Sequence, residues 1–345
     1  KVYNIILFQL TKTVEICYNT NSASAFVCVQ CDLVLQKGET TMKYRKLTDI
    51  NQAMTASEDA MRQADLAFLD ELEKVADAIR KTAVERPVIL LAGPSGSGKT
   101  TTAFLLERFL DGWGVETHTI SMDNFFSTMT SQQREMAATG KLDLESPARV
   151  DIPYLNQHLQ SIIACKPTWM PRYHFPTTTR IDQDWQLTRK PGELLLLEGI
   201  HALNPDVITI PEEMTVRLYV SVRTRVTNGE TVLHPSRLRL MRRMLRDKNF
   251  RQRSVAETLS MFEHVQAGEH KYIAPYKKRA SIDTFLPYEL GIYKTLLDGE
   301  LEAEMQHPML LELRQMWDDV APLTLEHVPA DSLVREFAGD SVFQY

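Results

Sequence analysis

Residues 93–100 read Gly93-Pro94-Ser95-Gly96-Ser97-Gly98-Lys99-Thr100. This is the spacing G-x-x-x-x-G-K-[ST], in which a glycine-rich turn brings backbone N–H groups around phosphate oxygens. Lys99 can reach the outer phosphates of a nucleoside triphosphate, and the Thr100 hydroxyl can ligate magnesium. Gly93, Ser95, Gly96, Ser97, Gly98, Lys99, Thr100 and Thr101 are therefore candidate nucleotide-binding residues, and ATP with Mg2+ is the implied ligand pair. The apolar run Val88-Ile89-Leu90-Leu91-Ala92 before the loop reads as a buried parallel strand, and Thr101 to Leu110 reads as a helix. Strand, loop and helix are the frame this chemistry needs, because a helix N-terminus adds positive potential under the phosphates.

A phosphate loop binds a nucleotide without specifying a reaction, so the acids and bases around it matter next. Asp123, in Ser121-Met122-Asp123-Asn124-Phe125-Phe126, ends a strand expected to lie beside the first. Ligands of such sheets bind outside the carboxyl ends of the strands. Asp123 could there accept a hydroxyl proton or touch the metal. Aspartate before asparagine is also ordinary turn chemistry, and the residues alone leave both readings open. Glu198 ends the aliphatic run 194–197 and precedes Gly199, a place for an acid that acts on magnesium; a plain strand-end carboxylate is the alternative. Arg237, Arg239, Arg242, Arg243, Arg246, Lys248, Arg251 and Arg253 form one basic stretch. It fits a nucleic-acid surface, a solvated face, or a lid that clamps ATP phosphates. The acidic chain favours local phosphate binding, and arginines over a transferring phosphoryl group offset its developing charge.

These side chains need an α/β frame. A second strand is expected over Val115–Ser121, a helix over Asp151–Cys165, and strands over Leu194–Leu197 and Met214–Val222. Helices follow over Ser236–Lys248 and Ser254–His270, with a last short strand over Ile282–Leu286. The fold class is a central parallel sheet flanked by helices, with a basic lid helix. Ahead of it, Met61, Ala64, Phe68, Leu72, Val75, Ala76 and Ile79 recur at helical spacing between Thr55 and Lys81. The expected organisation is an atypical extension over 1–41, a helical lead-in over 42–86, a phosphate-loop domain over 87–305, and a helical tail over 306–345 packing on it.

The chain has 345 residues, 43% hydrophobic and 24% charged, with a net charge of −6, an ordinary globular balance that argues against general nucleic-acid or membrane affinity. No apolar run approaches the roughly 20 residues of a membrane helix, and the start lacks a signal-peptide pattern. Cys17, Cys28, Cys31 and Cys165 do not suggest a disulfide framework, so a cytoplasmic location is expected. Cys28-Val29-Gln30-Cys31 has half a zinc spacing with no second pair nearby. Lys37-Gly38-Glu39 before Met42 could encode a ribosome-binding sequence, so residues 1–41 are expected to be a translated leader or the remnant of an upstream domain, with a β-rich extension as the plainer alternative.

The order of GPSGSGKT, SMDNFF, DLESP, YHFPTTTR, LLLLEGIHALN, RLRLMRRMLRDKNFRQRS and APYKKRASID resembles the uridine kinase and phosphoribulokinase-like branch of P-loop kinases. It is most similar to bacterial nucleoside kinases often fused behind a threonyl-tRNA-synthetase-like region, a region that residues 1–54 are too short to contain. The tail, with LPYELGIYKTLL and VPADSLVREFAGDS, looks like the same subgroup. The resemblance implies phosphoryl transfer from ATP to the 5′-hydroxyl of a nucleoside, with uridine foremost. It implies Asp123 as base, Glu145 on the ribose hydroxyls, Tyr173 at the base and Glu198 assisting magnesium. Arg243 and Arg246 would lie on the lid helix, with Arg251 and Arg253 in the turn after it; Arg180, in the same YHFPTTTR segment, joins the substrate-side candidates. Family members carry Asp where this chain has Glu145, and a base-reading His where it has Thr178, which implies a required ribose and a loosely read base. A kinase of another small polyol and a nucleotide-gated binding protein without turnover remain open readings, as does a homo-oligomer.

Overall fold

The computed structural model describes residues 43–139, 141–277 and 280–344; the expectations for residues 1–41 lie outside them. In chain order the elements are β1 (Tyr44–Lys46), α1 (Leu47–Thr55), α2 (Ala60–Arg80), β2 (Val88–Ala92), α3 (Lys99–Gly112), β3 (Thr117–Ser121), α4 (Ser131–Ala138), α5 (Ile152–Ile163), β4 (Thr168–His174) and β5 (Thr179–Leu187). They continue with β6 (Leu194–Glu198), β7 (Thr215–Ser221), β8 (Arg225–Asn228), β9 (Thr231–Leu233), α6 (Pro235–Arg251), α7 (Val255–Tyr272), β10 (Ala280–Asp283), α8 (Glu289–Glu304), α9 (Leu311–Arg314) and α10 (Arg335–Ala338).

Five of these strands form a parallel sheet in the order β10-β7-β2-β6-β3. Period-2 alternation sorts its side chains onto two cores. Val88, Leu90, Leu195 and Leu197 face α5, whereas Ile89, Leu91, Leu194 and Leu196 face α3, α6 and α8. This is the helix-covered parallel sheet expected from the sequence.

One neighbour relation differs from expectation. The strand that ends before Asp123 does not lie beside β2; β6 intervenes, and β3 takes the sheet edge. Composition explains the order. Every residue of β6 is buried, so it needs a partner on each side, whereas β3 is Thr-His-Thr-Ile-Ser and three of its five positions are only half-buried. Both strands still end at the same margin, because Ser121 pairs in register with Glu198.

Other departures are local. The helical pattern read from Thr55 starts at Ala60, and a separate α1 precedes it. The basic helix extends through Arg251, so that arginine lies in its last turn and not beyond it. Ser254 caps α7 by a reciprocal pair: its Oγ accepts from the Glu257 N–H at 3.2 Å and the Glu257 carboxylate accepts from its N–H at 2.8 Å. The last strand closes at Asp283, because Thr284 turns its hydroxyl to the Ser97 carbonyl at 2.8 Å.

Candidate active site

The glycine loop is shaped from behind by the basic helix. Arg239 of α6 donates to the Ser95 carbonyl at 3.2 Å, Arg242 to the Gly96 carbonyl at 3.2 Å, and Thr284 to that of Ser97. A trans peptide points its C=O and the following N–H in opposite directions. With those carbonyls turned out to α6 and Thr284, and the Ser97 N–H closing a turn onto the Pro94 carbonyl at 3.1 Å, the peptide geometry directs the Gly96 and Gly98 N–H groups away from these supports, as a phosphate cradle requires. Gly96 and Gly98 have φ of +74° and +82°, conformations that need glycine. A Cβ at Gly93 would lie 2.1 Å from the Val220 carbonyl oxygen, so the strand-to-loop crossing tolerates no side chain there. Lys99 then opens α3 with its positive end at the cradle.

Three carboxylates gather beyond the loop. Burial pushes Asp123 above the ordinary carboxylate range, opposed in part by Lys99, Arg251 and Arg246. Burial also raises Glu145, with Arg243 and Lys99 opposing. Glu198 is pushed by burial to about 7, with Asp123 adding repulsion and Lys99 opposing. It accepts from the Ser121 hydroxyl at 2.7 Å. The carboxylates and the cations Lys99, Arg243, Arg246 and Arg251 thus act on one another at one sheet margin, although they come from five separate segments.

The arginines are organised by a residue the sequence reading passed over. Asp247 is fully buried and lies 3.1 Å from Arg246, 3.5 Å from Arg251, and 3.9 Å from Arg243 and Arg253. Burial alone would raise its carboxyl, but Arg246, Arg243 and Arg251 hold it below the ordinary range. Burial and then Arg246 bring Arg243 down to about 10, whereas for Arg251 repulsion from Arg246 comes first, then burial, giving about 9. Such a crowd of cations is a demand for more negative charge, which polyphosphate would supply. The signal was one acid inside an arginine run. Arg239 and Arg242, read with the lid, instead carry the loop: Arg242 is also paired with Glu289 at 2.8 Å and Arg239 with Glu269 at 2.6 Å. Arg243 reaches the Ser95 hydroxyl as well.

On the acceptor side, the buried Tyr173 interacts with Asp123 and accepts from Arg149 at 3.4 Å. Its ring meets Phe126 edge-on at 5.6 Å and Phe175 at 5.2 Å, and Arg251 lies over Phe175 at 5.4 Å. Gly268 of α7 packs against Glu145: a Cβ there would lie 2.4 Å from the Glu145 Cβ. Sequence reasoning had no signal for that glycine. Thr178 sits at the β4–β5 turn with φ +53°. Arg180 is engaged elsewhere, paired with Asp151 at 3.1 Å and Asp182 at 2.7 Å and stacked over Tyr154 at 4.4 Å.

Among the described residues no three-ligand metal cluster occurs. Magnesium is commonly held by one or two protein oxygens together with substrate phosphates and water. The Thr100 hydroxyl and the Glu198 carboxylate are donors of the right kind.

The Phosphoribulokinase / Uridine kinase family pattern matches residues 88–284. A uridine kinase of Deinococcus deserti is 29% identical over 217 residues, covering 62% of this chain and 93% of that protein. One of Yersinia enterocolitica is 30% identical over 198 residues, covering 56% of this chain and 84% of that protein. Among solved structures, D-glycerate 3-kinase from Cryptococcus neoformans var. grubii matches with a TM-score of 0.30 and 15% identity, over 78% of this chain and 89% of that one, a likeness too loose to bear on function.

Proposed function

The chain belongs to the Phosphoribulokinase / Uridine kinase family, and from that premise we propose that it transfers the γ-phosphate of ATP to the 5′-hydroxyl of a nucleoside, with uridine the first acceptor to test. The observation that carries this reading is Asp123: a carboxylate raised by burial, facing Lys99, Arg246 and Arg251 at the end of the sheet. A pure nucleotide switch has no use for a base there. Relatives matched over most of their own length are uridine kinases, which supports a nucleoside acceptor.

In the proposed reaction the acceptor oxygen attacks the γ-phosphorus, the bond from that phosphorus to the bridging oxygen breaks, and ADP leaves. The hydroxyl proton passes to Asp123. Lys99, Arg243 and Arg246 offset charge on the transferring group, which is the larger part of catalysis in this chemistry. Magnesium, when bound through Thr100 and Glu198, would offset further phosphate charge. Asp247 keeps the arginines aimed. Glu145, pressed by Gly268, would hold ribose hydroxyls, and Tyr173 with Phe126 and Phe175 would flank the base. No described helix is long and apolar enough to cross a membrane, and we place the enzyme in the cytoplasm.

The test is an acceptor panel with ATP, scored by ADP release: uridine, cytidine, adenosine, their 2′-deoxy forms, and sugars and polyols. Ribonucleosides should be accepted, with discrimination among bases within about 10²-fold in kcat/KM. Equal use of uridine and 2′-deoxyuridine would remove the role given to Glu145. Turnover confined to a sugar or polyol would keep the kinase and overturn the nucleoside.

A further inference from the structure

The C-terminal segment reaches the phosphate cradle. Glu336 of α10 is only 9% exposed, and its Oε2 accepts from the Thr101 hydroxyl at 2.6 Å and from the Thr101 backbone N–H at 3.2 Å. Thr101 lies in the first turn of α3, where N–H groups have no intrahelical acceptor and face the nucleotide phosphates in a loop of this kind. A carboxylate is thus seated on donors that a phosphate needs.

The seat is built, because α10 is fixed on both sides. Leu333 closes over Gly98, where a Cβ would lie 2.5 Å from the leucine Cδ1. Phe337 lies 5.3 Å from the Arg242 guanidinium, and Asn249 of α6 donates to the carbonyls of Phe337 and Ala338 at 3.1 Å and 3.2 Å. The charge of Glu336 also adds to the rise of Glu198, so it is felt inside the site.

We propose that Glu336 is an affinity-determining residue of the nucleotide site, an internal carboxylate that occupies the Thr101 donors and competes with nucleotide phosphate for them. The inference rests on the phosphate-loop reading above. It implies that α10 belongs to the nucleotide site as well as to the core, and that phosphate-bearing ligands overcome a repulsion that a bare nucleoside does not meet.

Glu336→Gln keeps shape and an acceptor oxygen but removes the charge. Isothermal titration of the full chain with ADP, with inorganic tripolyphosphate and with adenosine tests the idea. A carboxylate at a helix N-terminus in a partly buried setting is worth enough that its removal should tighten ADP and tripolyphosphate binding about fivefold. Adenosine affinity should stay within about twofold of wild type, since the effect needs a phosphate. Should the glutamine variant melt early, Glu336→Asp withdraws the carboxylate from Thr101 by one methylene and is expected to shift ADP affinity in the same direction. Unchanged or weaker ADP binding by folded variants overturns the proposal and leaves Glu336 a support for α3. No acceptor is present, so the result does not depend on which hydroxyl is phosphorylated. A wild-type chain that binds neither ADP nor tripolyphosphate overturns the phosphate-loop reading and this inference together.

Discussion

Glu198→Gln should stabilise the protein at alkaline pH while disabling it. Burial raises the Glu198 carboxyl from 4.5 to about 7. A carboxylate whose folded pKa is raised weakens the fold as pH climbs, because the unfolded chain releases the proton first. Below pH 4.5 the group is neutral in both states and has no effect. Between 4.5 and 7 the native state must increasingly hold a proton that the unfolded state has lost, or bury a charge. A tenfold difference in proton affinity between the two states corresponds to about 1.4 kcal/mol, so by pH 8 the wild-type side chain costs about 3 kcal/mol relative to a neutral one. Glutamine keeps the volume and can still accept from the Ser121 hydroxyl. Repulsion with Asp123 is also relieved, which acts in the same direction. The assay is urea unfolding of both proteins with EDTA at pH 5 and pH 8. The variant should gain about 3 kcal/mol at pH 8 and less than about 1 kcal/mol at pH 5. Added Mg2+ should narrow the gap, since a cation compensates only the wild-type charge. A gap that is absent at pH 8, or that does not grow with pH, refutes the burial of a titrating carboxyl at this position. Phosphoryl transfer by the variant should fall even where its stability rises.

The other expectations concern single contacts. Asp123→Asn keeps the shape and loses the proton acceptor, so kcat should drop about 10²-fold or more with ATP affinity little changed; collapse of ATP binding at an unaffected residual rate would make it a metal or structural residue instead. Asp247→Asn leaves buried arginines without their shared counterion and should cost about 3 kcal/mol in urea unfolding, somewhat less than a fully sealed pair because Arg251 and Arg253 reach solvent. ATP should restore more stability to that variant than to wild type; a variant as stable as wild type would show that the arginines rearrange freely. Gly268→Ala pushes Glu145 off its position, so KM for the acceptor should rise while KM for ATP stays level. Equal increases in both would place Glu145 on the nucleotide side.

The phosphate loop, its strand and its helix were legible because they depend on local order: a buried apolar run, glycines where φ must be positive, and a lysine opening a helix. Asp123 and Glu198 were legible as strand-end acids, and the arginine run as a basic helix. What the chain alone could not give was which partner each charge meets. The edge position of β3 follows from a competition among strands for two-sided burial, which periodicity does not record. The division of one arginine run into loop supports, Arg239 and Arg242, and site cations, Arg243, Arg246 and Arg251, depends on which face of α6 lies against Ser95 and Gly96. Arg180 lies across the β4–β5 ladder from Tyr173, and its pairing with Asp151, beside the one with Asp182 two positions along the chain, is a contact that only the fold supplies. Asp247, Gly268 and Glu336 take their meaning from atoms that the fold brings to them: Glu336 meets Thr101 across 235 positions. Local propensity and steric rules act between near neighbours and are written in the sequence. Coulomb and packing terms act between whatever the folded sheet brings within a few ångströms, so only the tertiary structure decided them.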